Sequence, residues 1–218
     1  MAALPSVFVT GGTGYIGQPL IRTLQLRGYD VRGLVRHGSE ARLPPGAQIV
    51  IGKALDAATF AHAIPLGATV VHLVGTPHPN PSKAPQFERV DLASIRATVV
   101  AARQAKASHI VYVSVAQPAP VMRAYVAARQ EGELLVQASG IPATIVRPWC
   151  VLGPGHLWPY LLVPFYGVLK LFPQTRRVAE RLGLVTLPQM VRALARAVKE
   201  PPLSGNRIVD VADIQRAV

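Results

Sequence analysis

The chain has 218 residues, 50% of them apolar and 16% charged, with a formal charge of +12 at pH 7. That length and apolar content suit one globular domain with a full core, and exclude a disordered chain. The single Cys150 excludes an internal disulfide and fits a reducing compartment. The basic charge comes with no zinc-finger, RNP or helix-turn-helix signature, so we read it as an arginine-rich solvated surface and expect no nucleic-acid partner.

Residues 1–6 carry no basic stretch leading into an apolar core, so we expect no signal peptide and a cytoplasmic location. The apolar run Val7-Phe8-Val9 then leads through Thr10 into Gly11-Gly12-Thr13-Gly14-Tyr15-Ile16-Gly17, and a helical pattern follows in which Ile16, Leu20 and Leu24 share a face. Strand, glycine turn and helix in this order make a site for a nucleotide pyrophosphate, because the helix N-terminus offers N–H groups and partial positive charge. Gly11, Gly14 and Gly17 stand where a side chain would block the turn, the diphosphate or the helix–strand contact. The spacing is G-x-x-G-x-x-G, and no G-x-x-x-x-G-K-[ST] loop for a nucleoside triphosphate is present.

A second strand is predicted over 31–35. Its carboxyl end faces the adenosine ribose in a dinucleotide fold, where an acid selects NAD and an arginine accommodates the 2′-phosphate of NADP. Asp30 lies at the wrong end, whereas Arg36 and His37 lie at the right one, so NADP(H) is the expected cofactor. A short strand over 48–52 follows, and then a helical piece over 56–63 that Asp56 opens. The apolar run 69–74 reads as a central parallel strand ending on the cofactor side at Gly75-Thr76. His78 lies in a proline-rich loop and reads as an exposed residue. Helix returns over 87–105, strand over 109–114, helix over 123–138 and strand over 143–146. The segment 157–172 is strongly apolar but broken by Pro159 and Pro164, too short for a membrane span. It is either a lid over the substrate end of the site or a peripheral membrane contact. An amphipathic helix from Leu187 and a last strand over 206–211 complete the pattern.

The glycine turn resembles the T-G-x-x-G-x-x-G opening of extended and atypical short-chain dehydrogenases/reductases. Arg147-Pro148-Trp149-Cys150-Val151-Leu152-Gly153-Pro154-Gly155 resembles their R-P-x-x-V-x-G-P-G element, where the backbone after the proline lies against the nicotinamide. Tyr125, Arg129, Gly132 and Glu133 are similar to the Y-x-x-x-K-x-x-G-E of the atypical branch that includes a complex I accessory subunit, with arginine in place of lysine. The resemblance covers residues 7 to about 198. It implies that Tyr125 exchanges a proton with the substrate oxygen, that Arg129 stands at the ribose-binding cation, and that Ser114 assists, although the family register also admits Val115. It implies a cofactor site made of Gly11, Thr13, Gly14, Tyr15, Ile16, Gly17, Arg36, Asp56, Gly75 and Pro148. Asp56 either faces the adenine amino group or is an ordinary helix cap. Cys150, with no partner base, reads as a small buried residue, and no metal is expected.

The expected architecture is α/β, a single Rossmann-type doubly wound parallel sheet of order near 3-2-1-4-5-6-7, covering 1–218 with 153–187 as a small C-terminal cap. The expected activity is that of an oxidoreductase or epimerase-like enzyme on a small apolar substrate, working as a monomer or homodimer. The alternative is an NADP(H)-binding redox sensor or structural partner without turnover, because arginine keeps the charge of the family lysine but cannot release a proton.

Overall fold

The computed structural model describes residues 4–119, 121–154 and 181–217. Its strands are β1 (Ser6–Thr10), β2 (Asp30–Val35), β3 (Gln48–Ile51), β4 (Thr69–His72), β5 (His109–Val113), β6 (Ala143–Val146), β7 (Cys150–Leu152), β8 (Leu184–Thr186) and β9 (Asn206–Val209). Seven of them form one parallel sheet in the order β3-β2-β1-β4-β5-β6-β9, the doubly wound order expected from the sequence. The remaining two, β7 and β8, pair with each other in a second small parallel sheet that the sequence pattern did not announce. The strand expected over 69–74 stops at His72, level with the point where β1 gives way to the glycine turn.

Among the described residues, the α-helices longer than a single turn are α1 (Gly17–Leu26), α2 (Ala93–Gln104), α3 (Arg123–Ala138), α4 (Leu187–Lys199) and α5 (Val211–Gln215). Strand periodicity divides the core between the two faces of the sheet. Val7 and Val9 of β1 and Val111 of β5 pack with Leu20, Ile21 and Leu24 of α1 and Met190 and Leu194 of α4. Phe8, Ile110 and Tyr112 point to the other face and pack with Ile95 of α2 and Val136 of α3. Each such fully buried side chain contributes about 1.5–3 kcal/mol relative to exposure. The two edge strands leave large side chains near half-exposed, Ile49 and Ile51 on β3 and Ile208 on β9.

Two helix starts position the site. Thr186 and Gln189 form a capping box at α4, and Pro188 occupies its first turn, where a missing N–H costs nothing. Ahead of α2 the chain makes a π-helical turn over Phe87–Leu92, which points Asp91 inward with Phe87 and Leu92. Residues 155–180, which include the whole of 157–172 and most of the expected cap, lie outside the described residues.

Candidate functional site

The glycine turn joins the carboxyl end of β1 to α1. Gly11 has φ +77°, and a Cβ there would lie 2.9 Å from the carbonyl carbon of Leu73. Such a position excludes any side chain on both conformational and steric grounds. A Cβ on Gly17 would collide with the Gly11 carbonyl oxygen and lie 2.7 Å from Gly12 Cα, and one on Gly14 would lie 3.1 Å from the same oxygen. The first turn of α1 carries no acidic residue, and Ile16 at its N-cap offers no capping side chain. The helix start is therefore electrostatically and sterically prepared for an anion. Thr13 is held by its carbonyl, which accepts from Gln18 Nε2 at 3.1 Å and from Arg42 Nη2 at 3.4 Å.

Arg42 was not foreseen. It comes from the short 3₁₀ turn Glu40–Arg42 after β2 and reaches back to the glycine turn. A second arginine in the basic loop that follows Arg36 was the signal for it. Arg36 and His37 lie exposed immediately beyond Val35, on the strand adjacent to β1 and at the same carboxyl edge. Asp56 caps the 3₁₀ turn Ala57–Thr59, its Oδ1 accepting from Ala58 N at 3.2 Å, which is the capping role the sequence left open. Tyr15 of the turn meets the R-P-x-x-V-x-G-P-G element, since a Cβ on Gly153 would collide with the Tyr15 hydroxyl. Pro148 is buried and its carbonyl accepts from Ala116 N at 2.9 Å, which ties that element to the end of β5.

Between these two ends lies a buried polar chain. The Arg129 guanidinium donates from Nη2 to Asp91 Oδ1 at 2.6 Å and from Nη1 to the Val113 carbonyl at 3.0 Å. Both members of the ion pair are buried, with side chains 6% and 1% exposed. The guanidinium carbon is 5.9 Å from the Tyr112 ring centroid and 5.3 Å from that of Tyr125. Burial alone would favour loss of its charge, but Tyr125, Tyr112 and Asp91 together more than offset this and hold it above its ordinary value. It presses so closely on Gly75 that a Cβ there would collide with Nη2. Arg129 is thus a permanent cation set against the carboxyl end of β4, beside the switch point where β1 and β4 diverge.

Asp91 is the residue that the sequence reading missed. Its Oδ2 accepts from the Thr76 amide at 3.0 Å and the Thr76 hydroxyl at 2.6 Å, fixing the turn after Gly75. The signal was an acid in the apolar stripe Phe87–Asp91–Ile95, where four-residue spacing aims all three at one face. The chain continues through Ser94, which bonds the Asp91 carbonyl, to His72 and from there to Thr10 and Thr98. Burial pushes the His72 imidazole down to about 3, with the Arg129 charge adding to the effect, so it is neutral.

Tyr125 is half-buried, its ring tilted against Phe87 at 5.1 Å between centroids. Ser114 is engaged by a different partner. The serine hydroxyl donates to Glu133 Oε1 at 2.5 Å, and the same carboxylate accepts from Gln117 Nε2 at 2.7 Å and from Arg147 Nε at 2.9 Å. Among the described residues no hydrogen bond links Ser114 to Tyr125. Val115 is also buried. Cys150 is partly buried, its thiol pushed up to about 11 by burial, and therefore unreactive. No cluster of metal-ligating side chains occurs among the described residues.

Comparison with known proteins agrees with this geometry. The profile of a family described as NAD(P)H-binding matches residues 11–152. The ceramide reductase of Caulobacter vibrioides is 30% identical over 215 residues, covering 96% of this chain and 65% of that protein. The chain thus spans about two thirds or less of the length of such curated relatives. Among solved structures, the Bordetella bronchiseptica enzyme WbmH in complex with NAD+ superposes with a TM-score of 0.70 at 20% identity, covering 95% of this chain and 75% of that one. UDP-glucuronic acid 4-epimerase from Bacillus cereus in complex with NAD superposes with a TM-score of 0.69 at 17% identity, covering 95% and 80%. A Rossmann sheet of the observed strand order, a glycine turn closed to side chains, and a profile that matches from Gly11 to Leu152 leave one assignment: the chain belongs to the NAD(P)H-binding family.

Proposed function

We propose that the protein is an NADP(H)-dependent oxidoreductase acting on the carbonyl group of a small, apolar substrate. The observation that carries the proposal is the half-exposed phenol of Tyr125 lying 5.3 Å from a guanidinium fixed against Gly75 at the cofactor edge. The glycine turn and the start of α1 would hold the pyrophosphate, Arg36 the 2′-phosphate, and Arg42 the adjoining loop. When bound, the nicotinamide supplies or accepts the hydride. Tyr125 gives its phenolic proton to the substrate oxygen, and the Arg129 charge favours the phenolate that remains. Arg129 cannot return that proton, so solvent must, which the partial exposure of Tyr125 permits. The likeness to a ceramide reductase, and to a farnesylated quinoline oxide ketoreductase of Stigmatella aurantiaca that is 29% identical over 168 residues, supports both the reductive direction and an apolar substrate.

The assay is NADPH consumption over a panel of long-chain ketones, aldehydes and quinones. Tyr125→Phe should remove turnover while leaving NADPH affinity within about twofold, since the hydroxyl enters only the chemical step. A second reading, NADP(H) binding without turnover, is favoured by one observation: the Ser114 hydroxyl is committed to Glu133. NADPH binding with no consumption of it across the panel would establish that reading instead.

A further inference from the structure

The edge of the sheet opposite the cofactor carries a feature that the site does not use. In a doubly wound sheet every helix-to-strand connection arrives at the amino ends of the strands. Leu4 precedes β1, Leu26 lies before β2, Leu66 before β4 and Leu203 before β9. Leu26 and Leu66 are 89% and 80% exposed, Leu4 is 61% exposed, and Leu203 is wholly exposed. Single exposed leucines mean nothing, but these share one edge. Ser6 pairs with Asp30 and Val7 with Thr69, so the parallel register continued backward sets Leu4 level with Gly28 on one side and Leu66 on the other. Asp30 N donates to the Pro5 carbonyl, and Gly67 N to the Lys106 carbonyl, tying these connections into a continuous rim.

Basic groups outnumber acids on this rim, and its acid at the start of β2, Asp30, accepts from Gln48 Nε2 at 2.8 Å. Arg27 and Lys199 line an open cleft of about 840 Å³ with Leu4 between the end of α1 and the end of α4. Arg103 and Lys106 stand exposed at the end of α2. Among the described residues none of these four has an ion-pair partner. The one acid in the cleft, Glu200, is taken by Arg196 at 3.0 Å.

We infer that this amino-edge rim docks the protein on an anionic bilayer surface, the leucines entering the interface and the free cations meeting lipid phosphates. Complementary charge selects the occupant: a rim that is both cationic and leucine-studded matches an anionic headgroup layer over an acyl boundary, which a bare polyanion does not. The cofactor edge then faces away from the membrane, free to exchange NADP(H).

The test is flotation with phosphatidylglycerol/phosphatidylcholine vesicles against phosphatidylcholine alone. The native protein should float only with the anionic vesicles and be released by salt. Each basic residue removed should weaken partitioning about fivefold, so Arg27→Ala with Lys199→Ala should cost roughly twenty- to thirtyfold. Leu26→Ser with Leu66→Ser should weaken it at unchanged charge and salt dependence. All four changes are at exposed positions away from the cofactor edge, so melting temperature and NADPH affinity should match the native protein. Four outcomes would overturn the inference: equal flotation with neutral vesicles, no flotation, full retention by the arginine–lysine variant, or indifference to the leucine changes combined with retention on a single-stranded oligonucleotide.

Discussion

Replacing Arg129 by lysine restores the family's residue and tests whether the arginine is a substitute for it or a different device. The guanidinium makes two divergent bonds, 2.6 Å to Asp91 and 3.0 Å to the Val113 carbonyl, while its face lies by the rings of Tyr112 and Tyr125. A single ammonium lacks the fixed fork that serves the two acceptors from separate nitrogens, so we expect lysine to keep Asp91 and lose Val113. Losing one hydrogen bond to a charged group costs about 1.5–3 kcal/mol, and losing part of the stacking adds roughly 0.5–1 kcal/mol. We therefore expect Arg129→Lys to lower stability by about 2–4 kcal/mol, a large share of the 5–15 kcal/mol typical of a domain. Asp91→Asn should cost about 3–5 kcal/mol, because it strands a buried cation. Urea unfolding followed by circular dichroism measures both. NADPH affinity, read by nucleotide fluorescence, should change little in Arg129→Lys, and any carbonyl reduction it gains should vanish in Arg129→Lys with Tyr125→Phe. If Arg129→Lys is as stable as the native protein to within about 0.5 kcal/mol, the bridging role of the guanidinium is refuted.

Other expectations follow from the same geometry. NADPH should bind about ten- to a hundredfold more tightly than NADH, and Arg36→Ala should erase the difference, since a charge-assisted contact with the 2′-phosphate contributes about 1.5–3 kcal/mol; equal affinities in the native protein would sink that assignment. Gly17→Ala should abolish cofactor binding in a fluorescence titration, because its Cβ would meet the Gly11 carbonyl and push α1 off the turn. Acid should destabilise the fold through His72. Its imidazole is lowered from the usual 6.5 to about 3 by burial first and the Arg129 charge second, so the unfolded chain binds the proton that the folded chain refuses. That stability is fully present above pH 6.5 and falls as pH drops toward about 3, by about 2 kcal/mol already near pH 5, and His72→Gln should flatten the slope in urea titrations at several pH values.

The features legible in the sequence are those whose cause is local. Gly11, Gly14 and Gly17 are demanded by backbone atoms a few residues away or on the next strand, and alternation in β1 or four-residue spacing in α1 follows from the pleat and the helical turn. Strand order was readable because parallel strands joined by helices admit few arrangements. The boundaries of Arg123–Ala138 could be read directly, whereas the β7–β8 pair could not, since its strands are three residues each and meet only through the fold. The character of the candidate site was decided by tertiary structure. Arg129 and Asp91 are 38 residues apart, and only the packing of α2 and α3 side by side on one face of the sheet brings them together. The sequence likewise does not show that α3 sets Glu133 against the Ser114 hydroxyl at 2.5 Å. A buried charge must find a partner, but periodicity says only that it faces inward; the opposing helix determines which partner it meets.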